Sequence, residues 1–149
     1  MASKRYLQLL EQFKNRPAST HLSIEKIREG FEKLLAAYPA EADIRFESSS
    51  INSIPACWVF GPEVSRKKVI LFFHGGGFNA GSVNSHRDLM GRISKACGLP
   101  LLAIGYRLAP EHPFPAALED ALKAYQWLLD RSYSSSDIAL LSGALPGAA

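Results

Sequence analysis

The run Val69-Ile70-Leu71-Phe72-Phe73 passes without a break into His74-Gly75-Gly76-Gly77-Phe78. Five consecutive apolar residues, two of them aromatic, predict a strand buried on both faces. Such a strand needs a covering layer on each side, which a chain of 149 residues can supply from one core. The three glycines that follow leave bare backbone N–H groups able to approach a ligand closely. A buried parallel strand ending in a glycine loop is where an open α/β sheet places its chemistry.

Composition narrows the class of protein. A 47% hydrophobic and 21% charged content is that of a globular chain rather than a disordered one. The net charge of +3 is small, and no cluster of Lys and Arg forms a nucleic-acid stripe. Arg66-Lys67-Lys68 reads as a solvated turn ahead of a strand. No apolar run approaches the roughly 18 residues of a membrane span. The amino terminus has no apolar core of the kind a signal peptide needs. Cys57 and Cys97 lack CxxC spacing, which favours a reducing, cytoplasmic setting over a disulfide framework.

Taken in order, Tyr6, Leu9, Leu10 and Phe13 form an amphipathic helix ended by Pro17. Ser23 is an N-cap for a second helix, striped by Ile24, Ile27, Phe31, Leu34 and Leu35 and closed by Pro39. The two helices either cover the core or cap a pocket. Ile44 and Phe46, ahead of a polar Ser48-Ser49-Ser50 turn, and Cys57 to Phe60, ahead of Gly61-Pro62, predict two short strands paired antiparallel at the sheet edge. After the glycine loop, Ser82, Asn84 and Ser85 are N-cap candidates for a helix whose apolar positions include Leu89, Ile93 and Ala96, with Gly98 as its stop. Leu101 to Ile104 is a buried strand, and the proline-rich Leu108 to Pro115 neither helix nor central strand. Pro115 opens a helix faced by Leu118, Leu122, Tyr125 and Leu129, and Ile138 to Leu141 is a last strand. The order predicts an α/β sheet with right-handed crossovers.

Gly75-Gly76-Gly77-Phe78-Asn79-Ala80 fits the letter of a dinucleotide-binding turn, G-x-G-x-x-A. That turn requires a helix starting inside the loop and an acidic residue about 20 positions on, at the end of the second strand. Here the helix caps come later and the second strand runs to Tyr106-Arg107, so the nucleotide reading is set aside.

The pair formed by His74 to Phe78 and Tyr106-Arg107-Leu108-Ala109-Pro110-Glu111-His112-Pro113-Phe114-Pro115-Ala116-Ala117 resembles the hormone-sensitive-lipase-like esterases of the α/β-hydrolase fold. Gly81 to Arg87 between them resembles that branch too, and the likeness runs from about Leu22 to Gly143. It implies the amino-terminal half of an α/β-hydrolase sheet, with residues 1–40 as a helical cap segment and 41–149 as a partial α/β-hydrolase domain. It implies hydrolysis of acyl esters without cofactor or metal. It also implies an oxyanion hole at Gly75, Gly76 and Gly77, with Gly76 and Gly77 as N–H donors and Gly75 shaping the turn. His74 then braces the loop rather than serving as triad histidine, because that histidine follows the nucleophile in this fold. Arg107 and Glu111 brace the proline-rich loop. His21, His86 and His112 have no metal spacing and read as structural or exposed.

The pattern breaks at the nucleophile. A G-x-S-x-G elbow should follow the strand Ile138 to Leu141, and Gly143-Ala144-Leu145-Pro146-Gly147 stands there. Leu145 fills the serine slot and has no nucleophilic atom, and Pro146 lacks the N–H of the next oxyanion donor. Losing a triad serine costs on the order of a million-fold in turnover. The triad Asp and His, which come later in chain order, have no counterpart before Ala149, so the chain is expected to be a truncated, inactive esterase. The elbow of the resembling family reads Gly-Asp-Ser-Ala-Gly-Gly. Losing one base from GAC TCT GCC GGG GGC GGC, one coding of Asp-Ser-Ala-Gly-Gly-Gly, spells Ala-Leu-Pro-Gly-Ala-Ala, the residues from Ala144 to Ala149. A frameshift after Gly143 is the sharper reading of the break. The alternative is a non-catalytic relative that binds a small ligand under the cap.

Overall fold

The computed structural model describes Glu11, residues 22–65 and residues 67–143. Apart from Glu11, the helix predicted from Tyr6 to Phe13 lies outside the described residues, as do His21, Arg66 and Leu145.

Helix α1, Ile24–Ala36, starts where Ser23 caps it, the Ser23 Oγ accepting the Lys26 N–H at 3.5 Å. Glu25 in its first turn and Lys33 in its last suit the helix dipole. None of its residues is fully buried. Ile24, Ile27, Arg28, Phe31 and Leu35 are half-buried along one stripe, while Leu34 is exposed. The helix lies on the molecule as light cover.

Strands β1, Arg45–Ile51, and β2, Ile54–Phe60, pair antiparallel from Arg45 opposite Phe60 to Ile51 opposite Ile54, as predicted for the sheet edge. The turn between them corrects the sequence reading: Ser48, Ser49 and Ser50 are strand. The chain reverses at Asn52 and Ser53, whose φ values of 48° and 71° make the two-residue turn that matches strand twist. An edge strand half open to water tolerates serines where a central one would not.

Strands β3, Val69–Phe73, β4, Leu101–Ile104, and β5, Ile138–Ser142, complete a sheet in the order β1-β2-β4-β3-β5. β3 lies parallel to both β4 and β5, and β2 runs antiparallel to β4. Alternate residues of the central strands serve two separate cores. Val69, Leu71, Leu102 and Ile104 pack on one face with Ala124 and Leu128; Ile70, Phe72, Leu101 and Ala103 pack on the other with Met90. The apolar run at 69–73 is therefore buried on both sides, as its composition demands.

Each face is closed by one helix; of the apolar stripes read from the sequence, Ile93 on one helix and Tyr125 and Leu129 on the other pack against the core, while the deepest positions are held by smaller or polar residues. Helix α2, Arg87–Cys97, buries Met90, Gly91 and Ser94 and leaves Leu89 exposed. A Cβ on Gly91 would sit 3.1 Å from Ile44 side-chain carbons. Ser94 accepts the Gly61 N–H at 2.9 Å and donates to Leu99 O at 2.7 Å, so close packing and a polar staple select this face. Gly98 ends the helix at φ 61°, the stop predicted. Helix α3, Ala116–Leu129, turns Ala116, Asp120, Ala124 and Leu128 inward. Of the stripe read from the sequence, Leu118 at 51% and Leu122 at 61% exposure face out, whereas Tyr125 and Leu129 are partly buried against the core. Alanines let the helix lie close to the sheet, and Asp120 has a cation to meet there.

Leu140 is 61% exposed on β5 and Leu141 is partly exposed on the opposite face; among the described residues no strand pairs with the outer side of β5. An open apolar edge is a template for association. We expect this chain to self-associate at micromolar concentration, and Leu122→Lys with Leu140→Lys to shift it toward monomer in sedimentation velocity. An unchanged distribution would place the cause elsewhere.

Candidate active site

The carboxyl ends of β3 and β5 meet at the glycine loop. Gly143, the residue after β5, donates its N–H to Phe73 O at 2.8 Å. A Cβ built on Gly75 would lie 2.3 Å from Gly143 O, so neither strand end has room for a side chain there. Gly76 at φ 131° and Gly77 at φ 61° take backbone conformations that favour glycine. A Cβ on Gly76 would stand 2.1 Å from Ala80 O, whereas one on Gly77 meets nothing closer than Asn79 Oδ1 at 3.8 Å.

The polar backbone of this loop is satisfied from several directions. The Tyr106 hydroxyl donates to His74 O at 2.6 Å. His74 Nδ1 lies 3.1 Å from Gly75 O, and since a carbonyl only accepts, Nδ1 carries the proton. The Gly75 N–H points at His86 Nε2, 3.1 Å away. Gly76 O accepts from both Asn79 and Ala80, and Phe78 O from the Ala109 N–H. Among the described residues no acceptor meets the N–H of Gly76 or Gly77. The Gly75 N–H is thus occupied, whereas those of Gly76 and Gly77 are not taken by any described residue.

His74 is buried at 3% exposure and stacked on Tyr106 with ring centroids 4.2 Å apart. Burial lowers its pKa from 6.5 to about 4, so the ring is neutral at pH 7. Burial likewise pushes the Tyr106 phenol up to about 12.

A family model described as the alpha/beta hydrolase fold matches residues 70–145. The chain belongs to the α/β-hydrolase fold family. It is 31% identical to an esterase of Acinetobacter venetianus over 136 residues, 89% of this chain and 43% of that protein. It is 44% identical to an ethyl acetate hydrolase of Pseudomonas putida over 63 residues, 42% of this chain and 20% of that one. An esterase from the bacterial hormone-sensitive lipase family superposes with a TM-score of 0.84 at 36% identity. An esterase/lipase from an uncultured bacterium superposes with 0.86 at 38% identity. Each solved comparison covers 95% of this chain and 48% of the other. The chain spans about half the length of the two solved esterases and of the Acinetobacter protein.

In this α/β-hydrolase two arginines tie down the proline-rich segment. Arg107 bonds Asp120 through Nε at 2.9 and 3.1 Å and Nη2 at 2.9 Å, and Nη2 reaches Glu119 at 2.9 Å. Its own N–H donates to Asp120 Oδ2 at 3.0 Å. Burial raises the pKa of Asp120, but the Arg107 hydrogen bonds and charge outweigh it and hold the carboxylate below its usual range. Arg28, on α1, grips Glu111 bidentately at 2.9 and 2.7 Å and donates to Asn79 O at 2.8 Å and Ala109 O at 2.9 Å. That grip lowers Glu111 to about 2. One guanidinium thus joins helix, glycine loop and proline-rich loop.

The structure brings His74, the three glycines and the Arg107 and Glu111 loop to one end of the sheet. Leu145 lies outside the described residues. Arg28, Asp120 and the contact of His86 with Gly75 were missed in the sequence. Two signals were available: Arg28 interrupts the apolar stripe of α1, and Asp120 stands among inward alanines of α3. Among the described residues no group of three His, Cys, Asp or Glu side chains could hold a metal ion.

Two outcomes follow from this geometry. Gly76→Ala should lower the melting temperature by an amount worth about 1–3 kcal/mol, the cost of a strained backbone. Gly77→Ala, with open space around its Cβ, should cost clearly less. The second concerns pH. An unfolded His74 protonates near 6.5 and the folded one near 4, so between these values the unfolded chain binds more protons and stability is lost as the pH is lowered. Fully expressed, the loss is on the order of 3 kcal/mol, and melts recorded from pH 7.5 to 4.5 should be flatter for His74→Gln.

Proposed function

We propose that this chain carries the oxyanion-binding half of a carboxylic-ester hydrolase acting on small acyl esters. One observation carries the reading. Two neighbouring N–H groups, at Gly76 and Gly77, meet no acceptor among the described residues at the carboxyl end of a buried parallel strand, beside Gly143, where the nucleophile elbow of the family begins. Attack on an ester carbonyl puts negative charge on its oxygen. Two fixed donors stabilise that charge as it forms, each contributing about 3 kcal/mol in a site of this kind.

The supporting residues have distinct roles in this proposal. His74 stays neutral and holds the loop through Gly75 O, while Arg107 and Glu111 hold the proline-rich segment below it. Residues 1–40 act as a cap segment over the domain of residues 41–149, with Arg28 as the point of attachment. No helix among the described residues is long and apolar enough to cross a membrane. The free thiols of Cys57 and Cys97 favour a reducing, cytoplasmic location.

Leu145 in the serine slot and Pro146 after it mean that the oxyanion donors here serve a nucleophile this sequence does not supply. A one-base deletion after Gly143 accounts for both residues at once. The second reading, a binder of small ligands without catalysis, rests on the same Leu145. A p-nitrophenyl ester assay on this chain and on a version with the frame restored after Gly143 separates them. Turnover in the restored version alone is the expected result. Its absence from both would favour the binder, and turnover by the chain as written would overturn the role given to Leu145. Reading the coding DNA past Gly143 one frame over tests the deletion directly.

A further inference from the structure

His86 has no part in the chemistry proposed above, yet it is 5% exposed and placed against the glycine loop. Its ring nitrogens have partners of opposite kind. Nε2 faces the Gly75 N–H at 3.1 Å, a group that only donates. Nδ1 faces Ser82 O at 3.1 Å, a group that only accepts, with Ser85 Oγ also at 3.1 Å. The partners therefore fix the tautomer: a proton on Nδ1 and a lone pair on Nε2. Ser85 is itself fixed, accepting the Ser82 N–H at 2.9 Å and donating to Ser82 O at 3.0 Å. The ring is boxed by Phe31 at 6.1 Å, Phe72 at 6.0 Å and His74 at 5.7 Å between centroids.

We propose that His86 is the positioning residue of the glycine loop: as the Nδ1–H tautomer it takes the Gly75 N–H and so turns the next two N–H groups outward together. This rests on the reading of Gly76 and Gly77 as oxyanion donors. A Gly75 N–H left without this acceptor would compete for the same charge or draw the loop inward, and in either case the two-donor geometry is lost. A protonated His86 would set N–H against N–H at Gly75 and break the same contact. Burial disfavours that charge, the backbone bond to Ser82 favours it, and Glu32 on α1 is the facing anion that also favours it.

The test uses the 15N-labelled chain at pH 7.5. Long-range proton–nitrogen correlation should show His86 Nε2 as the unprotonated nitrogen. In His86→Ala, Gly75 amide exchange should quicken about tenfold relative to Ile104, the loss of one hydrogen bond, and the Gly76 and Gly77 amide signals should shift. His86→Gln, which returns an acceptor, should restore most of the protection. A proton on Nε2, or unchanged Gly75 exchange in a folded His86→Ala variant, would overturn the proposal. Should that variant not fold, the tautomer in the unsubstituted chain decides. None of these readouts needs ester turnover. A silent frame-restored enzyme would sink the functional reading and leave only the His86 contact with Gly75 as a loop brace, whereas a wrong tautomer would sink the positioning role and leave the functional reading standing.

Discussion

A buried strand that ends inside a protein leaves polar backbone with nowhere obvious to go, and the architecture around β3 answers that constraint. Its side chains are enclosed on both faces, so the loop after it cannot shed its carbonyls and N–H groups into bulk water by moving out. His74 supplies one partner from within the loop, and His86, Arg28 and the segment of Tyr106 and Ala109 supply others from three further stretches of the chain. The two donors left over among the described residues, at Gly76 and Gly77, stand out because the groups around them are matched. In the function proposed for this chain such a surplus has a use, since the charge it awaits appears only when substrate reacts.

The elements most legible in the sequence were those set by local physics. The 69–73 run could be nothing but a strand covered twice, and Ser23 and Gly98 mark helix ends by capping chemistry that acts within one turn. Which way a helix faces was harder. On α3 the leucines at 118 and 122 invite the inward assignment, yet alanines and Asp120 hold that side. Hydrophobicity measures what a residue gains by burial, but closeness of approach is decided by side-chain size and by charges that need a partner. Both of those depend on segments far off in the chain. The hairpin shows the same limit: three serines look like a turn until Asn52 and Ser53, with positive φ, claim it.

The site divides along the same line. The glycines and His74 declare themselves through an unusual local run. The braces do not, because His86 matters only once the chain has folded back to bring Ser82, Gly75 and the ring together. Arg28 lies 81 residues from Ala109 and 83 from Glu111, beyond the reach of any local pattern. A single cation on an apolar stripe was the one trace it left.

The Arg28 contact also bears on how such a sequence can change over time. An exposed ion pair contributes at most about 1 kcal/mol, so Arg28 and Glu111 could drift if charge were all they shared. Their pairing is embedded in a junction that also fixes two carbonyls on two loops. Substitution at any one of these positions alters the setting in which the others are tolerated. Helix, glycine loop and proline-rich loop are thus bound to change as one unit, and a replacement neutral in one relative can be harmful in another that differs only across this junction.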